Sequence, residues 1–209
     1  MLLFFLISYS LARKGVDFST LLSKSTQECL KDNGYVFAIP RCWRSVGNID
    51  TNCVQNCVNA HAAGMSRVDT YFFPCYSCGN IGGQVNTFWN NVIANKMDFT
   101  TLWFDIEGSW SSSYTTNQQF LNDMIEKARS IGIVYGIYSS QYYWGLFFGS
   151  SYKFKYASTI PVWYAHYDNN PSFSDWSKYS FGGWSEPTIK QYKGDITLCS
   201  ASIDFNYEK

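Results

Sequence analysis

Charged side chains are scarce in this chain. Asp, Glu, Lys and Arg make up 15% of its 209 residues, where an ordinary soluble domain carries about a quarter. The sixteen acids and sixteen bases cancel. No basic field is left to grip a phosphate backbone, which excludes nucleic acid as a partner. There are two histidines, His61 and His166. His61 reads as a helix-surface residue, and His166 as the outward neighbour of the inward set Trp163, Ala165 and Tyr167. Neither is assigned to catalysis, and no metal or cofactor is expected. No Asn-x-Ser/Thr sequon is usable, because Asn170 is followed by Pro171. Internal repeats, low-complexity tracts and a second-domain boundary are all missing. Beyond residue 12 no apolar run approaches the roughly 20 residues that span a membrane.

Aromatics, by contrast, reach 19% and hydrophobic residues 46%. That composition builds a sizeable core and excludes a disordered chain. Most of the aromatics belong to packing, and those close to a site can stack on sugar rings.

Residues 1–12 run Leu2-Leu3-Phe4-Phe5-Leu6-Ile7 and end Ser10-Leu11-Ala12. This is an apolar segment with a small-residue cleavage site, read as a signal peptide over 1–12 although its first residues carry no Lys or Arg. Residues 13–209 then form a single domain. Seven cysteines agree with an oxidising compartment, and the odd count leaves at least one thiol free or pairing between chains. Cys53 and Cys57 are four apart on an expected helix, and Cys75-Tyr76-Ser77-Cys78 is a Cys-x-x-Cys. Disulfides are the expected use. Zinc would need the two pairs to converge, and redox work would need a helix starting at Cys75.

Strand and helix patterns alternate from Gly15 to about Ser158. Strands are expected at 16–19, 35–39, 68–73, 101–106 and 133–138, and helices at 21–33, 52–63, 84–96, 116–131 and 141–148. The rhythm then changes. Strands at 162–167, 188–192 and 202–206 are separated by loops without convincing helices. Five βα units followed by three strands with few helices make an α/β fold, an irregular (β/α) barrel.

Four acids sit at the ends of these strands: Asp17, Asp105, Glu107 and Asp204. An acid ending an apolar strand is costly unless solvated, paired or used. Barrel sites gather at the carboxyl ends of strands, so the four are expected to share one site. Asp105 and Glu107, two apart, face the same side. Paired carboxylates of this kind handle protons and developing positive charge, as in breaking a sugar–sugar bond.

The segments Gly15-Val16-Asp17-Phe18-Ser19, Val68-Asp69-Thr70-Tyr71-Phe72-Phe73-Pro74, Trp103-Phe104-Asp105-Ile106-Glu107 and Gly136-Ile137-Tyr138-Ser139-Ser140 carry a family resemblance. Trp163-Tyr164-Ala165-His166-Tyr167, Gln191-Tyr192 and Ile203-Asp204-Phe205-Asn206 continue it in order. The chain resembles the family 25 glycoside hydrolases, the Ch-type lysozymes, and most of all their secreted eukaryotic branch. The resemblance implies a muramidase acting on bacterial peptidoglycan as a monomer, off the membrane once the signal is cleaved, outside the cell or in an endolysosomal or phagosomal lumen. It implies Glu107 as general acid, Asp105 as the residue that orients the substrate N-acetyl group, and Asp17 and Asp204 as cleft acids. Tyr71, Tyr138, Trp163, Tyr167 and Gln191 are implied substrate contacts. One departure stands out: Pro40-Arg41-Cys42-Trp43-Arg44 occupies a region where many bacterial members carry an acid. Asp69, near the start of its strand, is expected to be structural.

Two other readings compete. A chitinase of the Asp-x-x-Asp-x-Asp-x-Glu type would need acids at positions 100 and 103, which hold Thr100 and Trp103. A non-catalytic wall-binding protein on the same barrel has no need of all four acids. In a closed barrel the first and last strands are neighbours, so Cys29 and Cys199 are expected to bridge. Cys53, Cys57, Cys75 and Cys78 are then expected to pair locally, leaving Cys42 as the free thiol.

Overall fold

The computed structural model describes residues 12–209. The expected signal segment therefore lies outside the described residues, apart from Ala12. The elements in order are β1 (Arg13–Phe18), α1 (Lys24–Asp32), β2 (Tyr35–Arg44), β3 (Asn48–Ile49), α2 (Cys53–Ala62), β4 (Arg67–Val68), β5 (Thr70–Phe72) and α3 (Ile81–Asn95). They continue with β6 (Leu102–Asp105), α4 (Tyr114–Ser130), β7 (Tyr135–Ser139), α5 (Gln141–Phe148), β8 (Val162–Ala165), α6 (Trp176–Tyr179), β9 (Ile189–Leu198) and β10 (Ala201–Glu208). Local chemistry sets several helix starts. Ser23, Ser113 and Ser140 each accept the backbone N–H three residues on, from Thr26, Thr116 and Tyr143.

The strands close into a barrel of eight positions. Going round, these are β1, β2, the broken strand β4–β5, β6, β7, β8, β9 and β10, which returns to β1. β3 is a short flap on β2. The irregular (β/α) barrel is therefore present, with one difference in direction. β10 runs antiparallel to both β9 and β1. The cause is the connection. Leu198 pairs with Ala201, so Cys199 and Ser200 alone make the turn, and a two-residue link can join only antiparallel strands. Both residues have positive φ, 53° and 60°, as a type I′ hairpin turn requires. Asp204 consequently does not end a strand, as its place in an all-parallel barrel would require. It lies inside β10, opposite Asp17 of β1.

Period-two alternation sorts the strand residues between two cores. Phe37, Ile39, Trp103, Tyr138, Trp163 and Ile189 fill the barrel interior. Their alternate neighbours, including Ala38, Leu102, Phe104, Ile137 and Tyr164, pack outward under the helices. Two interior glycines give the large rings room. A Cβ on Gly15 would lie 2.2 Å from the Phe37 ring, and one on Gly136 would lie 2.4 Å from Trp103.

Cys29 and Cys199 are bridged, with Cα atoms 6.0 Å apart, as the closed barrel requires. The remaining pairs are Cys42–Cys53 and Cys75–Cys78. The expectation of a free Cys42 is overturned: among the described residues the free cysteine is Cys57, which is buried. β2 does not stop at Ile39 but runs on to Arg44. That extension carries Cys42 alongside the first residue of α2, Cys53, while Cys57 turns into the core one helical turn later.

Candidate active site

Asp17 comes from β1, Tyr71 from β5, Asp105 from the last position of β6 and Glu107 from the loop beyond it. Tyr138 comes from β7, Trp163 from β8, Tyr167 from the following loop, Gln191 from β9 and Asp204 from β10. These nine side chains line one cavity of about 100 Å³ at one mouth of the barrel. All nine positions singled out above thus meet in one place.

Hydrogen bonds divide the four acids into two kinds. Gln191 Nε2 donates to Asp17 Oδ1 at 2.9 Å and to Asp204 Oδ2 at 3.1 Å. Gln191 Oε1 accepts from Tyr138 Oη at 2.7 Å and from Tyr167 Oη at 2.8 Å. Asn206 Nδ2 gives Asp17 a second donor at 2.6 Å, and Trp163 Nε1 holds the Asn206 oxygen at 2.9 Å. Asp204 also accepts the Asp195 N–H at 2.7 Å. The pairing of β10 with β9 shifts register around this residue, and such a bulge re-aims a side chain. Asp17 and Asp204 are thereby fixed in place. Asp105 Oδ1, in contrast, is buried with no protein partner.

All four acids are pushed above the usual carboxylate range, and in each case burial is the first cause. Like charges add to it: Asp204 acts on Asp17 and on Glu107, while Glu107 and then Asp17 act on Asp105. Arg41 opposes this at Asp105. Carboxyls whose protonated form is favoured in this way can deliver a proton to a substrate oxygen.

The sequence matches the family model described as Lysozyme-like protein 1 over residues 9–192. It is 41% identical to the probable GH family 25 lysozyme 5 of Dictyostelium discoideum, across 92% of this chain and 89% of that protein. It is 39% identical to Lysozyme-like protein 5 of Caenorhabditis elegans, across 99% and 96%. The chain belongs to the family 25 glycoside hydrolases of lysozyme type. The fold agrees: a family GH25 lysozyme from Aspergillus fumigatus superposes with a TM-score of 0.77 at 18% identity, covering 95% of this chain and 94% of that one.

Within this family 25 barrel some site residues escape a sequence reading. Asn206 stands in the Ile203-Asp204-Phe205-Asn206 segment, yet nothing in its spacing marks it as the link between Asp17 and Trp163. Arg41, in the departing Pro40–Arg44 stretch, is paired with Asp50 at 2.7 Å and acts on Asp105 by charge. Asp69 lies away from the cavity and accepts from Trp103 Nε1 at 2.9 Å and Thr101 N at 3.2 Å. His166 points outward to Asp175 at 2.6 Å and stacks on Tyr179.

Two clusters among the described residues have metal-ligating atoms close together. In one, Cys42 and Cys53 are already bonded to each other. In the other, His166, Asp168 and Asp175 surround the fully buried Lys190 ammonium, which reaches the two carboxylates at 2.7 and 2.9 Å. Lysine supplies the cation there. The cluster ties the loop after β8 to β9, next to Gln191.

Proposed function

We propose that this lysozyme-type hydrolase is a muramidase. It cleaves the β-1,4 bond between N-acetylmuramic acid and N-acetylglucosamine in bacterial peptidoglycan. The observation that carries this is the split among the four acids in one cavity. Asp17 and Asp204 are locked by amide donors, whereas Asp105 keeps a buried oxygen without a protein partner. A buried acceptor calls for a donor, and the acetamido N–H of the substrate provides one. Asp105 orients that group so that its carbonyl oxygen assists departure at the anomeric carbon. Burial raises both Asp105 and Glu107, with Asp204 adding to it at Glu107 and Glu107 adding to it at Asp105, which favours a proton on this pair. Glu107, the less buried of the two, holds it and delivers it to the glycosidic oxygen. Asp17 and Asp204 favour the positive charge developing on the sugar and bind its hydroxyls. Tyr71, Tyr138, Trp163, Tyr167 and Gln191 are the substrate contacts.

The proposal includes a secreted or endolysosomal or phagosomal location, supported by the apolar segment 1–12 and three disulfides. It also includes action as a monomer, since one chain supplies the whole cavity.

The test is digestion of purified peptidoglycan with mass analysis of the new reducing ends. Muramic acid ends are expected, and glucosamine ends would replace this reading with a glucosaminidase. Glu107→Gln is expected to lower turnover by about 10²–10⁴-fold with little change in stability. Near-wild-type turnover would remove Glu107 from the acid's role.

A further inference from the structure

A second cavity, of about 300 Å³, adjoins the first and shares Glu107 with it. Its other walls include Ser45, Phe73, Tyr76, Ser77 and Trp110. An acid that protonates a glycosidic oxygen must stand between the two sugars joined by that oxygen. Asp17, Asp105 and Asp204 all line the first cavity and none lines the second. Positive charge develops on the sugar that keeps its anomeric carbon, so the acid-lined side takes that sugar. The leaving sugar falls on the other side.

We infer that the loop tied by Cys75–Cys78 forms the wall that grips the leaving sugar together with Trp110 from the segment between β6 and α4, with Tyr76 as the loop's contact face and Gln84 as its positioning residue. The inference rests on the hydrolase reading above. The wall's chemistry suits a neutral N-acetylhexosamine. Apart from Glu107 it offers no carboxylate, lysine or arginine, but it does offer serine hydroxyls and aromatic rings. Tyr76 lies 5.0 Å from Trp110, centroid to centroid, and 4.7 Å from Phe120. Trp110 Nε1 donates to the Glu107 carbonyl oxygen at 3.1 Å, so wall and acid are held together.

The loop is tied down at several points. The disulfide closes it over a separation of three residues. Gln84, buried on α3, uses every hydrogen-bonding position of its amide. Its nitrogen donates to Cys75 O at 2.8 Å and Gly79 O at 2.7 Å. Its oxygen accepts from Cys75 N at 3.0 Å and Trp43 Nε1 at 3.1 Å. The Cys-x-x-Cys is a staple in this arrangement. α3 begins at Ile81, six residues past Cys75, so no helix start at Cys75 activates a thiolate there.

Two substrates separate this role from a structural one. The first is soluble glycan strands from peptidoglycan. The second is an aryl β-glycoside of the muramic acid-terminated disaccharide, whose aryl leaving group replaces the sugar beyond the scissile bond. Tyr76→Ala is expected to lower kcat/KM on glycan strands by about tenfold, mainly through KM. On the aryl glycoside it should stay within about twofold of wild type. Tyr76→Phe, which keeps the ring, should restore glycan cleavage. Gln84→Ala should follow Tyr76→Ala with the same split between substrates. Equal losses on both substrates, or no loss on glycan strands, would overturn the inference while leaving the hydrolase reading intact. A wild-type protein that cleaves neither substrate would sink both.

Discussion

Asp105 concentrates the conflict between stability and chemistry. It is 4% exposed, has an unpartnered oxygen, and sits near Glu107 and Asp17. Burial, followed by those two charges, raises its pKa well above the ordinary value. Ionising Asp105 therefore costs more in the fold than in the unfolded chain, where such a carboxyl titrates at about pH 4. Stability from this group is fully present below that pH and is lost as pH rises toward the folded value. Asp105→Asn removes the charge that causes the loss. It is expected to raise Tm at pH 7 by about 2–4 °C, for about 1 kcal/mol gained, and to fall in activity at the same time. Thermal melts at pH 7 and pH 4 check this. The gain should shrink toward zero at pH 4, and an equal gain at both would show that charge is not the cause. Asp17, Asp105 and Glu107 were legible in the sequence because an ionisable group at the end of an apolar strand demands an explanation, and Asp204 was found by the same argument although it lies inside β10. Asn206 and Arg41 were not. A neutral amide raises no such question, and an arginine reads first as surface.

At the scale of elements, the β9–β10 hairpin is what the sequence hid. Its strands read as separate short segments, 188–192 and 202–206, because Lys193, Gly194 and Asp195 break the apolar pattern. Asp195 is also one of the positive-φ residues, at 56°. No glycine or asparagine marks the turn at Cys199-Ser200, although both residues adopt the left-handed region. Helices were easier, since caps and glycine stops lie in the local sequence. The hairpin tip is pinned to α1 by Cys29–Cys199 across 170 residues. By the chain-entropy model that closure is worth about 5 kcal/mol. The double change Cys29→Ser, Cys199→Ser is expected to lower Tm by about 10–20 °C. Denaturant unfolding of the variant measures it. A loss under about 1 kcal/mol would mean that the strand ladder alone holds the two ends of the barrel together.

Across the whole molecule, the barrel has opposite ends with opposite tasks. One mouth holds the acids. At the other, Arg67 lies over the Phe37 ring, 4.7 Å from its centroid, and pairs with Glu208 and Asp69, while Arg13 also reaches Glu208. Asp69 and Glu208 are 1% and 3% exposed. This polar plug joins residues from β1, β4, β10 and the link before β5, so it fastens the strands where the barrel closes. Removing one partner of a buried ion pair strands the other, at about 3–5 kcal/mol. Arg67→Met keeps a long apolar stem against Phe37 but leaves Asp69 without its cation and Glu208 with Arg13 alone. The expected result is a Tm about 6–20 °C lower at pH 7, with turnover per folded molecule within about twofold of wild type. The sign with pH follows from Asp69. Burial already raises its pKa and Arg67 lowers it, so without Arg67 the folded value climbs further. The carboxyl then takes up a proton in the fold, and the penalty shrinks as pH falls toward the unfolded value of about 4. Melts of Arg67→Met at pH 7 and pH 4 should therefore differ from wild type by less at pH 4. A deficit independent of pH would assign the loss to packing on Phe37 instead of to charge, and a parallel loss of turnover would mean that the two mouths of the barrel are coupled.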